Sequence, residues 1–313
     1  METRAVVLEE PGRLDVRRLR LSEPGPADVV VETAWTGVST GTERLFWEGR
    51  MPWFPGHGYP LVPGYEGVGR VVWAGPTSHR EEGDWLFVPG ARCYGEVRGL
   101  FGAAAATVVV EGSRTHRVDG SLGERGVLLA LAATAYHAAW GSGGAAPELI
   151  VGHGALGRLL ARLTVALGSA PPTVGERSAA RRGGADGYRV TEADADERTD
   201  YAAVYDASGD PGLLDALIGR LARGGEVVLA GFYTEPIRFD FVPAFLREAR
   251  LRVAAEWTPE DLEAVADLAT SGRLSLDGII TDRVCAAGAV AGYRRAFEDA
   301  DCVKLLIDWR GEA

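Results

Sequence analysis

Leu149-Ile-Val-Gly-His-Gly-Ala-Leu-Gly157 is the stretch on which the reading of this chain turns. An apolar run enters a glycine-rich turn, and Arg158–Leu167 leaves it at helical spacing. That strand–turn–helix order is the context a dinucleotide pyrophosphate needs. Gly152 permits the tight turn, Gly154 lets the backbone approach phosphate, and Gly157 lets helix pack on strand. The pyrophosphate would rest on amides at the helix N-terminus, bordered by His153, Ala155 and Leu156. His153 is read as shaping this site rather than as an acid–base group. The expected cofactor is a nicotinamide dinucleotide.

Downstream, strands alternate with helices. Thr173–Gly175, Ala202–Tyr205, Glu226–Ala230 and Leu251–Ala255 read as strands, with helices at Leu213–Leu221 and Glu260–Thr270. Gly224-Gly225 reads as a turn. The alternation implies an α/β fold, a Rossmann-type doubly wound parallel sheet. Glu176 follows the second strand, where a carboxylate accepts the adenosine ribose hydroxyls of NAD and repels a 2′-phosphate. Arg177, Arg181 and Arg182 stand close by and keep phosphate binding open. Ala207-Ser208 and Gly231-Phe232-Tyr233 follow later strands and would lie at the same C-terminal sheet edge.

The first 120 residues differ. Arg4–Leu8, Asp28–Thr36, Gly67–Trp73, Trp85–Pro89 and Ala106–Val110 are strand candidates broken by Gly and Pro, the pattern of an all-β lobe. Glu124–Trp140 then reads as a helix ended by Gly141-Ser-Gly-Gly144. The tail offers a helix at Ala289–Ala300 and a strand at Cys302–Asp308. Periodicity leaves open whether it extends the nucleotide domain or returns to the first lobe.

Composition narrows the function classes. The 313 residues suffice for about two domains. A net charge of −11 disfavours nucleic acid as a partner. No apolar run is long enough to span a membrane, and the N-terminus does not open as a signal peptide; a cytoplasmic location is expected. Cys93, Cys285 and Cys302 form no metal-binding spacing and read as ordinary buried thiols.

Thr36-Gly-Val-Ser-Thr-Gly-Thr-Glu43 and Pro60-Leu-Val-Pro-Gly-Tyr-Glu-Gly-Val-Gly-Arg-Val-Val72 resemble the medium-chain dehydrogenase/reductase superfamily. The order of β lobe, Thr134-Ala-Tyr-His helix and glycine turn agrees across nearly the whole chain. Ser39-Thr-Gly-Thr-Glu-Arg44, Gly49-Arg-Met-Pro52 and Phe87-Val-Pro-Gly-Ala-Arg-Cys-Tyr94 are similar to a family of bacteriochlorophyll-synthesis dehydrogenases within it. The resemblance implies a GroES-like catalytic domain of residues 1–122 and 285–313, and a Rossmann domain of residues 123–284 that includes Thr134 among its cofactor contacts. It also implies NAD-dependent oxidation of a bacteriochlorophyllide C3 1-hydroxyethyl group to acetyl. A homodimer through the nucleotide domains and transient association with membrane surfaces or pigment enzymes go with it. Zinc-dependent relatives carry a cysteine at Ser39, a histidine at Tyr65 and a further cysteine near Ala132 or Ala133. Only Glu66 matches them, so no zinc is expected.

Without a metal, side chains must hold the substrate oxygen. Tyr65 and Ser39 are the candidates for that polar edge, with Glu66 orienting groups or relaying a proton and His137 as a second relay. Tyr65 acting as base would need its anion stabilised. Trp35, Phe46, Trp47, Trp53, Phe54 and Tyr59 offer rings to stack on a macrocycle. His57 lies in a loop that would approach substrate, and Arg44 or Arg50 would pair with a propionate. Two other readings stay open: a zinc-independent NADPH oxidoreductase acting on a quinone or enone, and a nucleotide-responsive binding protein without turnover.

Overall fold

The apolar run Leu149–Val151 becomes the third of six strands in a wholly parallel sheet. Their order is Arg189–Thr191, Thr173–Gly175, Leu149–Val151, Tyr201–Asp206, Leu221–Leu229 and Arg250–Val253. The computed structural model describes residues 1–53, 55–141, 143–193 and 195–311. The chain divides into two units: Met1–Ala130 with Ile280–Ala313, and Leu131–Ile279.

In the second unit, register decides where a ligand can sit. Val151 pairs with Gly175 and with Asp206, and Asp206 pairs with Leu229. Four strands therefore end level, and the loops that follow them share one edge. Two of the glycines are required by their surroundings. Gly152 has φ +98°, and a Cβ on Gly157 would lie 1.9 Å from the Gly152 carbonyl oxygen. Gly154 has nothing within 4 Å of its Cβ position. It caps the helix Ala155–Ala166 without a side-chain bond, leaving the first-turn amides directed at open space.

Some expectations need correction. Gly224-Gly225 is not a turn between elements. Both lie within the strand Leu221–Leu229, at a register shift where Tyr201 pairs with Leu221 and Ala203 with Glu226. The helix before it accordingly stops at Gly219. The single helix expected over Glu124–Trp140 breaks into a 3-10 segment Gly120–Leu128, an α-helix Leu129–Tyr136 and a π-helical turn His137–Gly141. Ser142 of the following glycine run lies outside the described residues, as does Phe54. The helix Phe241–Arg247 has no counterpart in the sequence reading. Its Phe241, Val242, Phe245 and Leu246 are all exposed, as are Leu251 and Val253 on the adjoining edge strand.

In the first unit, Asp28–Val38 is the organising strand. It pairs with Gly67–Ala74, with Thr107–Glu111 and with the terminal strand Leu305–Asp308. The tail thus returns to the first lobe, a choice that periodicity left open. Trp309 Nε1 donates to Thr36 Oγ1 at 2.9 Å and ties it down. A second sheet runs Arg13–Arg20, Glu2–Glu10, Leu61–Val62 and Arg98–Gly99. Among the described residues, no helix is long and apolar enough to cross a membrane.

Candidate active site

The returning strand brings a base to a buried acid. Leu305 lies opposite Val38, and Thr36 lies opposite Gly67, so Lys304 and Glu66 meet at one end of Asp28–Val38. Lys304 Nζ donates to both Glu66 carboxylate oxygens at 2.8 Å, and the two residues are 1% and 0% exposed. Gly37 makes the room: a Cβ there would stand 2.0 Å from Glu66 Oε2. Lys304 is the only lysine in the sequence. That singularity in an arginine-rich chain was the available signal, and the sequence reading missed it. Glu66, the candidate for orienting groups or relaying a proton, is thus held in a buried ion pair with both oxygens bonded to one ammonium.

Beside this pair, the Tyr65 hydroxyl donates to Ser39 Oγ at 2.9 Å. Ser39 Oγ also accepts the Thr42 amide at 3.3 Å. Two incoming donors leave the Ser39 hydrogen to point onward. Burial, reinforced by the Glu66 and Glu43 carboxylates, pushes the Tyr65 hydroxyl well above the ordinary phenol range. Tyr65 is therefore a donor and not the base that the sequence reading entertained. Glu43, also missed, is 2% exposed and pushed up from 4.5 to about 7, chiefly by burial.

The zinc positions of the superfamily hold the Ser39 and Tyr65 hydroxyls and a carboxylate already claimed by Lys304. Two neutral hydroxyls and an ion-paired glutamate do not fit a catalytic zinc.

The aromatic residues separate. Phe46 is 1% exposed and belongs to the core, and Trp35 is buried, stacked on Trp85 at 5.8 Å. Neither offers a face to substrate, so both leave the substrate-contact set. Trp47 packs on Phe297, whereas Trp53 is 87% exposed. The Tyr59 hydroxyl donates to the Phe46 carbonyl at 2.5 Å, and half-buried His57 lies edge-on between these two rings. Arg44 and Arg50 share Glu48 at 2.6 and 3.2 Å. Cys93 and Cys302 are buried, with burial raising their thiols to about 11 and about 12, but Cys285 is exposed, contrary to expectation.

In the second unit, Glu176 is buried and held from both sides. Its Oε2 accepts the His153 amide at 2.8 Å and its Oε1 the Ser178 amide at 2.7 Å. His153 is fully buried. Its Nδ1 donates to the Arg181 carbonyl at 2.6 Å, an assignment forced because a carbonyl only accepts. Nε2 therefore accepts from the Tyr188 hydroxyl at 2.7 Å. Desolvation lowers this imidazole to about 4, so it is neutral and structural, as the sequence suggests. Arg158 donates to the His153 and Arg181 carbonyls, and Arg182 to the Glu176 and Arg177 carbonyls. Arg177 is exposed, 3.6 Å from Asp210.

Farther along the same edge, Asp206 gathers the later loops. Its carboxylate accepts the Ser208 amide and hydroxyl at 2.8 and 2.6 Å, and the Tyr233 hydroxyl at 2.5 Å. Ala207 is half-buried and Phe232 exposed. A Cβ on Gly231 would stand 2.6 Å from the Gly209 amide nitrogen, so only glycine fits. Thr134 is half-buried on the helix Leu129–Tyr136. His137 follows that helix, and its Nδ1 meets Asp261 Oδ2 at 2.7 Å. Asp261 closes the capping box of the helix Pro259–Thr270, which gives His137 a structural anchor inside this unit.

Comparison with known proteins agrees with this geometry. Residues 25–120 match the alcohol dehydrogenase GroES-like domain. A chain from Sinorhizobium meliloti 1021 solved with NADP superposes with TM-score 0.81 at 22% identity, covering 98% of this chain and 99% of that one. An Escherichia coli CFT073 alcohol dehydrogenase complexed with NADH gives 0.83 at 17% identity, with coverage of 98% and 99%. The fold is that of the medium-chain dehydrogenases, with a nicotinamide-nucleotide unit and a GroES-like unit. At the sequence level, the chain is 57% identical over 99% of both chains to the 2-desacetyl-2-hydroxyethyl bacteriochlorophyllide A dehydrogenase of Rhodobacter capsulatus. It is 54% identical over the full length of both chains to that of Cereibacter sphaeroides. It belongs to this family of bacteriochlorophyllide dehydrogenases.

Two stability predictions follow from the buried charges. Lys304→Met strands the Glu66 carboxylate and is expected to cost about 3–5 kcal/mol in urea unfolding, whereas Lys304→Met with Glu66→Met should recover most of the loss. For Glu43 the folded value of about 7 lies above the ordinary 4.5. The folded chain binds that proton more tightly, so stability present below pH ~4.5 is lost as pH rises through ~7. Glu43→Gln lacks this loss. Thermal melts should show the variant gaining on wild type between pH 5 and pH 8, by roughly 2–4 kcal/mol.

Proposed function

We propose that this chain oxidises the C3 1-hydroxyethyl group of a bacteriochlorophyllide to acetyl, with NAD as hydride acceptor. The observation that carries the reading is the 57% full-length identity to an enzyme whose name states that ring and that substituent. The alcohol carbon loses a hydride, its oxygen loses a proton to water, and the carbonyl forms between them.

The first unit handles the oxygen. Tyr65 donates to Ser39, and Ser39 directs its own hydroxyl as a hydrogen-bond donor to the substrate oxygen. Negative charge that develops there as the proton leaves is stabilised by a two-hydroxyl chain in place of a metal, and it collapses into the carbonyl as the hydride departs. Neither Glu66, locked to Lys304, nor Tyr65, held as a donor, takes the proton. Trp47, Trp53, His57 and Tyr59 form the aromatic side offered to the macrocycle. Arg44 and Arg50 pair with Glu48 at the surface and can exchange it for a propionate.

The second unit holds the nucleotide. Gly154 and the amides that open the helix Ala155–Ala166 suit a pyrophosphate. Glu176, fixed by two amides, presents its remaining lone pairs to ribose hydroxyls and repels a 2′-phosphate. Arg158 and Arg182 are turned onto carbonyls and do not favour NADP. Purified protein with 3-(1-hydroxyethyl) bacteriochlorophyllide should form NADH and the acetyl product, with NADP at least about tenfold poorer. Tyr65→Phe should lower kcat roughly 10- to 100-fold, because a hydrogen bond feeding developing charge is lost. Absence of acetyl product overturns the reaction, and preference for NADP overturns the role of Glu176.

We also read the exposed Phe241, Val242, Phe245 and Leu246, beside the edge strand Arg250–Val253 of the parallel sheet, as a self-association face. Two copies about a twofold axis place like edges together, which pairs the strand and covers the rings. Light scattering should find a dimer that Phe245→Glu converts to monomer.

A further inference from the structure

We propose that Glu43 is a positioning residue that holds the Ser39 hydroxyl on target through a carboxylate bridge to Tyr293 on the helix Ala289–Glu298. The inference rests on the reading of Ser39 as the donor to substrate oxygen.

Glu43 and Ser39 are tied twice. The Ser39 amide donates to Glu43 Oε1 at 2.9 Å, and the Glu43 amide donates to the Ser39 carbonyl at 3.2 Å. The other carboxylate oxygen, Oε2, accepts the Tyr293 hydroxyl at 2.8 Å, across 250 residues of sequence. Tyr293 is 1% exposed and packs edge-on against Phe297 at 5.6 Å. A six-residue helix, Thr42–Trp47, is too short to fix its own entry loop by helix formation alone. The carboxylate supplies that fixing, and the tail supplies the anchor.

Stability does not account for the arrangement. A buried carboxylate is costly, and an apolar pair of similar volume would fill the space as well. Four titratable groups face Glu43: Tyr293, Glu66, Lys304 and Tyr65. Lys304, the one cation among them, is engaged by Glu66. Glu43 thus keeps its charge free for two donors. An ionised carboxylate accepts both at full strength. A proton on Glu43 must sit on Oε2, since an amide N–H cannot accept, and Tyr293 must then reverse its hydroxyl. The bridge loosens on protonation, so turnover should rise with pH across the Glu43 titration.

Tyr293→Phe and Glu43→Gln both preserve shape, and each would be compared with wild type in two measurements. Amide hydrogen exchange of the ligand-free protein reads the bridge directly. The segment containing Ser39 should exchange about tenfold faster in Tyr293→Phe, with the parallel sheet unchanged. Turnover of the hydroxyethyl ring with NAD reads its consequence. Tyr293→Phe should lower kcat roughly five- to tenfold without raising KM for NAD. Its acidic limb should move to higher pH, because a donor that favours the ionised carboxylate is gone. Glu43→Gln should abolish that limb. Unchanged exchange in both variants overturns the bridge, and faster exchange with wild-type kcat and pH profile overturns the positioning role. Wild-type protein inert toward the ring alcohol sinks the functional reading instead, and the exchange data alone then decide the bridge.

Discussion

The buried pair between Glu66 and Lys304 is the constraint around which the first unit is arranged. A carboxylate with no exposure must be matched, and the matching ammonium arrives from the last strand of the chain. That requirement sets the return of the tail, the register of Leu305–Asp308 on Asp28–Val38, and the need for glycine at position 37. It also ties up the one residue here that matches the metal-ligand set of the zinc-dependent relatives. A glutamate ion-paired to lysine has its charge already matched, and the positions around it supply hydroxyls.

In the proposed reaction, hydroxyls stand where zinc-dependent relatives place metal ligands, and the oxygen is handled differently. A Lewis acid stabilises an alkoxide directly, whereas a hydroxyl chain stabilises it by direction. Tyr65 is raised so far by burial and by neighbouring carboxylates that it remains a donor, and its hydrogen fixes that of Ser39. Such a chain works only if its geometry is held closely, since hydrogen bonds weaken steeply with angle. The proposed bridge from Tyr293 through Glu43 to Ser39 would meet that need. The second unit uses the same economy: His153, neutral and bonded at both ring nitrogens, shapes the glycine turn without carrying charge into a phosphate site.

Much of the fold was legible because period and punctuation are local properties. Gly152 takes the tight turn and Gly157 the close helix–strand approach that their spacing suggests, and Thr173–Gly175 begins and ends where the sequence reading places it. Legibility failed where a tertiary contact overrode a local signal. Gly224-Gly225 has the composition of a turn, yet pairing with Tyr201–Asp206 carries the strand through it. Phe46 and Trp35 belong to a ring-rich region, but aromatic content does not reveal which faces are packed. His137 and Asp261 are 124 residues apart, and only the fold joins them.

By itself the sequence determined the nucleotide unit, the β lobe before it and the loss of the metal-ligand set, because each is written in spacing or residue type along one stretch. The tertiary structure decided where the tail goes, which glutamate is spent on an ion pair, and that the Tyr65 and Ser39 hydroxyls meet. Those depend on pairs such as Glu66 with Lys304 and Glu43 with Tyr293, which lie 238 and 250 residues apart. Burial and hydrogen-bond direction are properties of such pairs, and no local pattern encodes them.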